Sequence, residues 1–239
     1  MFRNFFSVVI ISAMIAIPVA AQDESKAVSD GGVYAEGWTG QVDPGEAERG
    51  NVLENAKFSL EDGVFHVTTG PTTSYWNPEN TASGTYTVMA TFSEAEYMSM
   101  SNHPHPYGIF IGGNDMGTKD QTLLYCAAYG NGSFIVRGFG PEPFRLNGRS
   151  ESNDAINKAD DTGKPVTQAI AVTVTDDSVL CAINGTTVGT YAKSDVVGEG
   201  KLTSTDGVYG IRFGHNTSGT VTGFHSMNEK KNESSQDGP

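Results

Sequence analysis

Two of the five histidines in this chain are bracketed by prolines, and that spacing is the first hint of chemistry. His103 and His105 stand in Asn102-His103-Pro104-His105-Pro106. Proline disfavours helix in the residue before it, so the stretch runs extended and alternate rings can share a side. Two imidazoles so placed could share a metal ion or a sugar. Zinc wants a third or fourth protein ligand. His215 could supply one, although no spacing motif ties it to the pair. The plainer reading is a rigid surface loop leading into a strand. His66 and His225 lie in strand-like segments and read as face or core residues.

Carboxylates come next. Glycosidic hydrolysis uses a pair of them, about 5 Å apart in retaining enzymes. On a strand that calls for Glu-x-Asp-x-Glu, because alternate residues share a face. No such motif occurs. Glu94-Ala95-Glu96 comes nearest, and it reads as a solvated turn after the strand Thr85–Phe92. A Gly-x-Ser-x-Gly elbow is missing, and so is a phosphate-cradling glycine loop before a helix. Gly112-Gly113-Asn114-Asp115 with Asp120 could offer oxygen ligands to calcium, outside any EF-hand pattern. No cofactor is expected beyond that calcium option.

Aromatic side chains complete the candidates. Tyr75-Trp76-Asn77-Pro78 reads as a turn region outside regular alternation. Exposed rings there would stack on sugar faces, with Arg137 orienting hydroxyls. Burial of Trp76 in the core is the competing reading. Trp38 reads as an anchor for an N-terminal strand. The candidate ligand-binding residues are thus Tyr75, Trp76, His103, His105, Arg137 and His215.

The elements that must position these residues are strands and turns. Tyr86, Val88, Ala90 and Phe92 alternate with polar neighbours, as do Ile170, Val172 and Val174. Period-2 patterning over short runs marks half-buried strands. Asn131-Gly132 and Asn184-Gly185 separate strand pairs, and Asn-Gly suits a type I′ hairpin turn. Asp176-Asp177 makes a further reversal, so Val166 to Tyr191 reads as a three-strand antiparallel meander. Residues 43–57 carry at most a turn or two of helix. Asn147 to Pro165 reads as a long surface loop.

The chain has 239 residues and a formal net charge of −13. Such a surface repels phosphate backbones, which excludes nucleic-acid binding. Arg3 precedes an apolar run from Phe5 to Ile17, and Pro18-Val19-Ala20-Ala21 offers small residues for cleavage. This reads as a secretory signal peptide over residues 1–21, with no membrane span after its removal. The protein is therefore expected to be exported, to the periplasm or the cell exterior. Residues 22–32 read as a flexible lead-in, 33–227 as one β domain, and 228–239 as a disordered tail. Export allows a Cys126–Cys181 disulfide, while two buried thiols fit the count equally well.

Several local patterns resemble a known fold family. Phe58-Ser59-Leu60-Glu61-Asp62-Gly63-Val64-Phe65-His66-Val67 resembles the first strand pair of laminin-G-like and concanavalin A-like domains. Val179–Val188, with Asn184-Gly185 at its turn, resembles their hairpin. Gly207-Val208-Tyr209-Gly210-Ile211-Arg212-Phe213 resembles the closing strand. The whole is similar to the bacterial 3-keto-disaccharide hydrolase domains, loosely grouped with family 16 glycoside hydrolases. The resemblance implies an all-β, antiparallel jelly-roll sandwich of two sheets. Together with the missing carboxylate pair, it leads us to expect a non-catalytic module. Its partner would be a glycan or an extracytoplasmic surface. A glycoside or keto-sugar hydrolase is the alternative, and an adhesive protein without small ligand a third.

Overall fold

The computed structural model describes residues 24–228. The expected leader and most of the expected tail lie outside those residues.

Two sheets pack face to face. The first orders its strands as β1 (Gly32–Val33), β3 (Ala56–Glu61), β4 (Val64–Thr69), β16 (Thr217–Asn228), β6 (Tyr86–Glu94), β12 (Val166–Val174), β13 (Ser178–Ile183) and β14 (Thr186–Ala192). The second runs β10 (Pro143–Arg145), β9 (Ser133–Phe139), β8 (Thr122–Ala128), β7 (Tyr107–Asn114), β15 (Gly207–Phe213), β5 (Thr73–Ala82) and β2 (Thr39–Val42), with β11 (Glu151–Ser152) also on β9. Every pairing is antiparallel except β1 on β3. The antiparallel two-sheet sandwich that the resemblance implies is the architecture observed.

Local sequence explains the reversals. Asp62-Gly63 and Asn184-Gly185 both take positive φ at their two residues, as a type I′ turn requires. The β12–β13–β14 meander follows, with Ile170 opposite Ile183. Asn131-Gly132 differs from expectation. Only Gly132 has positive φ, and its N–H bonds to the Tyr129 carbonyl, so the β8–β9 turn is four residues closed by a glycine rather than type I′. The expected helix near residue 45 is the single turn α1 (Pro44–Ala47). The lead-in is docked where the structure describes it: the Lys26 N–H bonds the Asn216 side chain at 2.8 Å, and β1 joins the sheet.

Alternate residues from both sheets fill the interlayer core. Phe58 stacks on Tyr75 with ring centroids 4.4 Å apart. Tyr86, Val88, Phe92, Ile109, Val172, Ile211 and Phe213 are all buried there. Trp38 packs on Phe58, Phe65 and Phe224, the anchoring role its position suggests. Cys126 of β8 is bonded to Cys181 of β13, which ties one sheet to the other. The central strands of the second sheet, β7 and β8, are buried along nearly their whole length. Their outward side chains Phe110, Leu123, Tyr125 and Ala127 form a second apolar cluster with Trp76 of β5 and Ile135 of β9.

Candidate functional site

The outer face of the second sheet carries a cleft of about 410 Å³. Strand alternation places its floor: in β8, Leu124 and Cys126 point into the core, so Tyr125 and Ala127 point out. Ile135, Arg137 and Phe139 of β9 and Arg212 of β15 join them, and β10 with Arg145 forms one wall. Thr72, His105, Pro106 and Gly214 close the opposite end.

Arg212 organises the floor. It is 6 % exposed and grips Asp43 with both terminal nitrogens, at 2.6 and 2.5 Å. It also donates to the Ser74 hydroxyl at 3.0 Å. Its guanidinium lies 4.5 Å from the Tyr125 ring centroid and 5.1 Å from that of Phe139. A planar fork suits a bidentate carboxylate and a ring face together. Burial alone would lower its pKa, but Asp43 raises it and keeps the charge. Asp43 sits just before α1 and is carried to the cleft by β2.

Arg137 differs from Arg212. Its Nη2 donates to the Arg149 carbonyl at 3.0 Å, while its Nε is buried without a hydrogen-bond partner among the described residues. Tyr129 stands beside it. Burial raises the Tyr129 hydroxyl pKa, against the opposing pull of Arg137 and Arg145. The cleft lining therefore gathers three arginines and one aspartate, in a chain of net charge −13.

The sequence candidates separate into groups. Tyr75 and Trp76 lie within β5 and not in a turn, which corrects that expectation. Tyr75 is fully buried against the first sheet and Trp76 is 4 % exposed in the outer apolar cluster. Neither presents a ring face for stacking, because both faces of this strand are covered. Arg137 lines the cleft as its strand position suggests. His103, His105 and His215 come together: the His105 and His215 ring centroids are 3.9 Å apart, those of His103 and His105 4.3 Å. His66 and His225 are exposed on strands of the first sheet. Asp115 and Asp120 join no group of three metal donors among the described residues.

Glu94 is a further correction. The alternation of β6 runs on through Glu94, which is 6 % exposed and not a solvated turn residue. Burial pushes its carboxyl up to about 7, against the lowering effect of the Met98 N–H bonded to it at 3.0 Å. Glu96 is exposed, so the two acids do not form a pair. Sequence reasoning missed Arg212, Asp43, Tyr125, Tyr129, Phe139 and Arg145. Arg212 did leave a signal, as the one cation in the apolar strand Gly207–Phe213.

No protein-family model matches the chain, and no curated protein does. Solved structures do. A Bacillus subtilis protein described as galectin-like in fold aligns at 12 % identity and TM-score 0.54, over 80 % of this chain and 89 % of its own. The laminarinase catalytic domain of Thermotoga maritima aligns at 11 % identity and TM-score 0.47, over 80 % and 91 %. A family 66 carbohydrate-binding module from Bacillus subtilis gives 10 % identity and TM-score 0.41, over 80 % and 96 %. At such identities the likeness is one of fold, and the fold of this chain is a galectin-like jelly-roll β-sandwich.

Proposed function

We propose that the protein is an exported glycan-binding module whose cleft takes an acidic oligosaccharide without hydrolysing it. The observation that carries this reading is the buried, unpartnered Nε of Arg137 in a cleft walled by aromatic rings. A buried donor left without an acceptor costs about 1–3 kcal/mol, which a ligand carboxylate or hydroxyl would recover. Tyr129 and Phe139 are half-buried, so part of each ring remains available to a sugar face. The surplus of arginines favours uronate or sulfate groups.

Binding without hydrolysis is supported by the lining's single carboxylate. Asp43 spends both oxygens on Arg212 and is poorly placed to move a proton. Export is supported by the disulfide, since such bonds persist in oxidising compartments. Among the described residues no helix is long and apolar enough to cross a membrane.

Calorimetric titration with uronate-bearing oligosaccharides, beside their neutral counterparts, tests the reading. Acidic ligands are expected to bind, and Arg137→Gln and Tyr129→Ala each to weaken them by about tenfold, worth about 1.4 kcal/mol. Equal binding of neutral and acidic ligands would remove the charge preference. No binding, with cleavage of a keto-disaccharide, would favour the hydrolase expectation instead.

A further inference from the structure

We propose that His103, His105 and His215 form a binding site for a zinc-class transition-metal ion at the rim of the cleft. Their ligating nitrogens lie within 4.8 Å of one another. In a tetrahedral zinc site with Zn–N near 2.0–2.1 Å, neighbouring nitrogens are about 3.3 Å apart. Small side-chain rotations close that difference, and His103 is exposed and has room to make them.

The backbone builds this convergence from two loops. One is the segment joining β6 to β7, where Pro104 and Pro106 hold the chain extended. The other is the turn from β15 to β16. Gly214 clasps them together: its N–H bonds the Pro106 carbonyl at 2.7 Å. A Cβ on Gly214 would stand 2.9 Å from the His105 Cβ and from the Pro106 Cδ. Only glycine lets the loops approach this closely, and that approach brings the His105 ring against His215 at a tilt of 46°.

Polar partners touch all three rings, the His105 Nε2 lying 3.1 Å from the Ser101 hydroxyl oxygen. His215 Nδ1 lies 3.3 Å from Glu46 Oε1, which assigns Nε2 as its ligand atom. Glu46 is 6 % exposed, and its other oxygen is held by Ser25, Asn51 and Arg49 at 2.9, 3.1 and 3.1 Å. A carboxylate behind a ligating imidazole is the usual support of a metal-bound histidine. His103 Nδ1 similarly meets Asn102 Oδ1 at 2.7 Å. Imidazole donors suit zinc, copper or nickel and disfavour calcium, which prefers oxygen. Three imidazoles fill three of zinc's four positions and leave one for water or a ligand oxygen. The inference does not depend on the glycan reading, although His105 belongs to both sites.

Chelator-treated protein titrated with zinc chloride is expected to bind a single ion, with nitrogen neighbours at about 2.0–2.1 Å by X-ray absorption. His103→Ala alters only an exposed side chain and is expected to weaken binding by about tenfold or more. His215→Ala does the same, while His225→Ala changes nothing. Glu46→Gln keeps all three rings and, as a positioning change, is expected to cost about 10–100-fold in affinity. Failure to bind zinc stoichiometrically overturns the proposal. So does unchanged affinity in both His103→Ala and His215→Ala.

Discussion

Replacing Glu94 with glutamine should make the protein less sensitive to pH. Glu94 is the inward residue at the end of β6, and its carboxyl titrates at about 7 against an ordinary 4.5 because burial penalises the charge. One N–H, from Met98, is too little to offset that loss of solvation. Between those pH values the folded chain holds a proton that the unfolded chain has released. Stability therefore falls as pH rises from 4.5 to 7 and is flat above, where neither state holds the proton. Each pH unit costs about 1.4 kcal/mol, so the full fall is about 3 kcal/mol. For a domain of this size that corresponds to about 6–12 °C in Tm. Glutamine keeps the shape and the acceptor for Met98 without the charge. Urea unfolding of both proteins from pH 4 to pH 8 measures the effect. The difference between them should open by about 3 kcal/mol towards alkaline pH, with Glu94→Gln the more stable. Parallel profiles would refute the reasoning and show that the carboxyl is solvated in the folded state.

Two further outcomes follow from the cleft and the core. Asp43→Ala strands the Arg212 guanidinium without its counter-charge and should destabilise by about 3–5 kcal/mol in urea unfolding. Adding Arg212→Met should recover most of that, and a single variant of near-normal stability would refute the pairing. Loss of the Cys126–Cys181 bond, which spans 55 residues of sequence, should cost about 4 kcal/mol by the loop-entropy relation. Reduced protein, or Cys126→Ala with Cys181→Ala, would show it. Thiol labelling of denatured, unreduced protein that modified both cysteines would refute the bond.

What the sequence made legible was the part of the fold in which each strand has one wet face. The β12–β14 meander shows its alternation and its Asn184-Gly185 turn openly. In the second sheet the start of β5 stayed hidden, because the cleft face is also covered there. Tyr75 and Trp76 are adjacent and both buried, so no period of two survives to mark β5. Glu94 was hidden differently: the alternation of Tyr86, Val88, Ala90 and Phe92 points straight to it, but a carboxylate reads as the end of a strand. His103 and His105 were visible as a local pair. His215 joins them only through the Gly214–Pro106 contact, a tertiary event that no local spacing encodes. The bidentate Arg212–Asp43 pair was invisible for the same reason.

Strand β8 has two duties that alternate residue by residue. Tyr125 and Ala127 furnish the cleft, and Cys126 between them is bonded to the opposite sheet. A ligand held on that floor is thus one residue away from a covalent crosslink through the whole sandwich. If the ligand is a polymer under tension, the pull on β8 passes into β13 through a bond. Dispersion contacts alone would yield by sliding. Under such a load the Cys126–Cys181 bond would keep the two layers from parting.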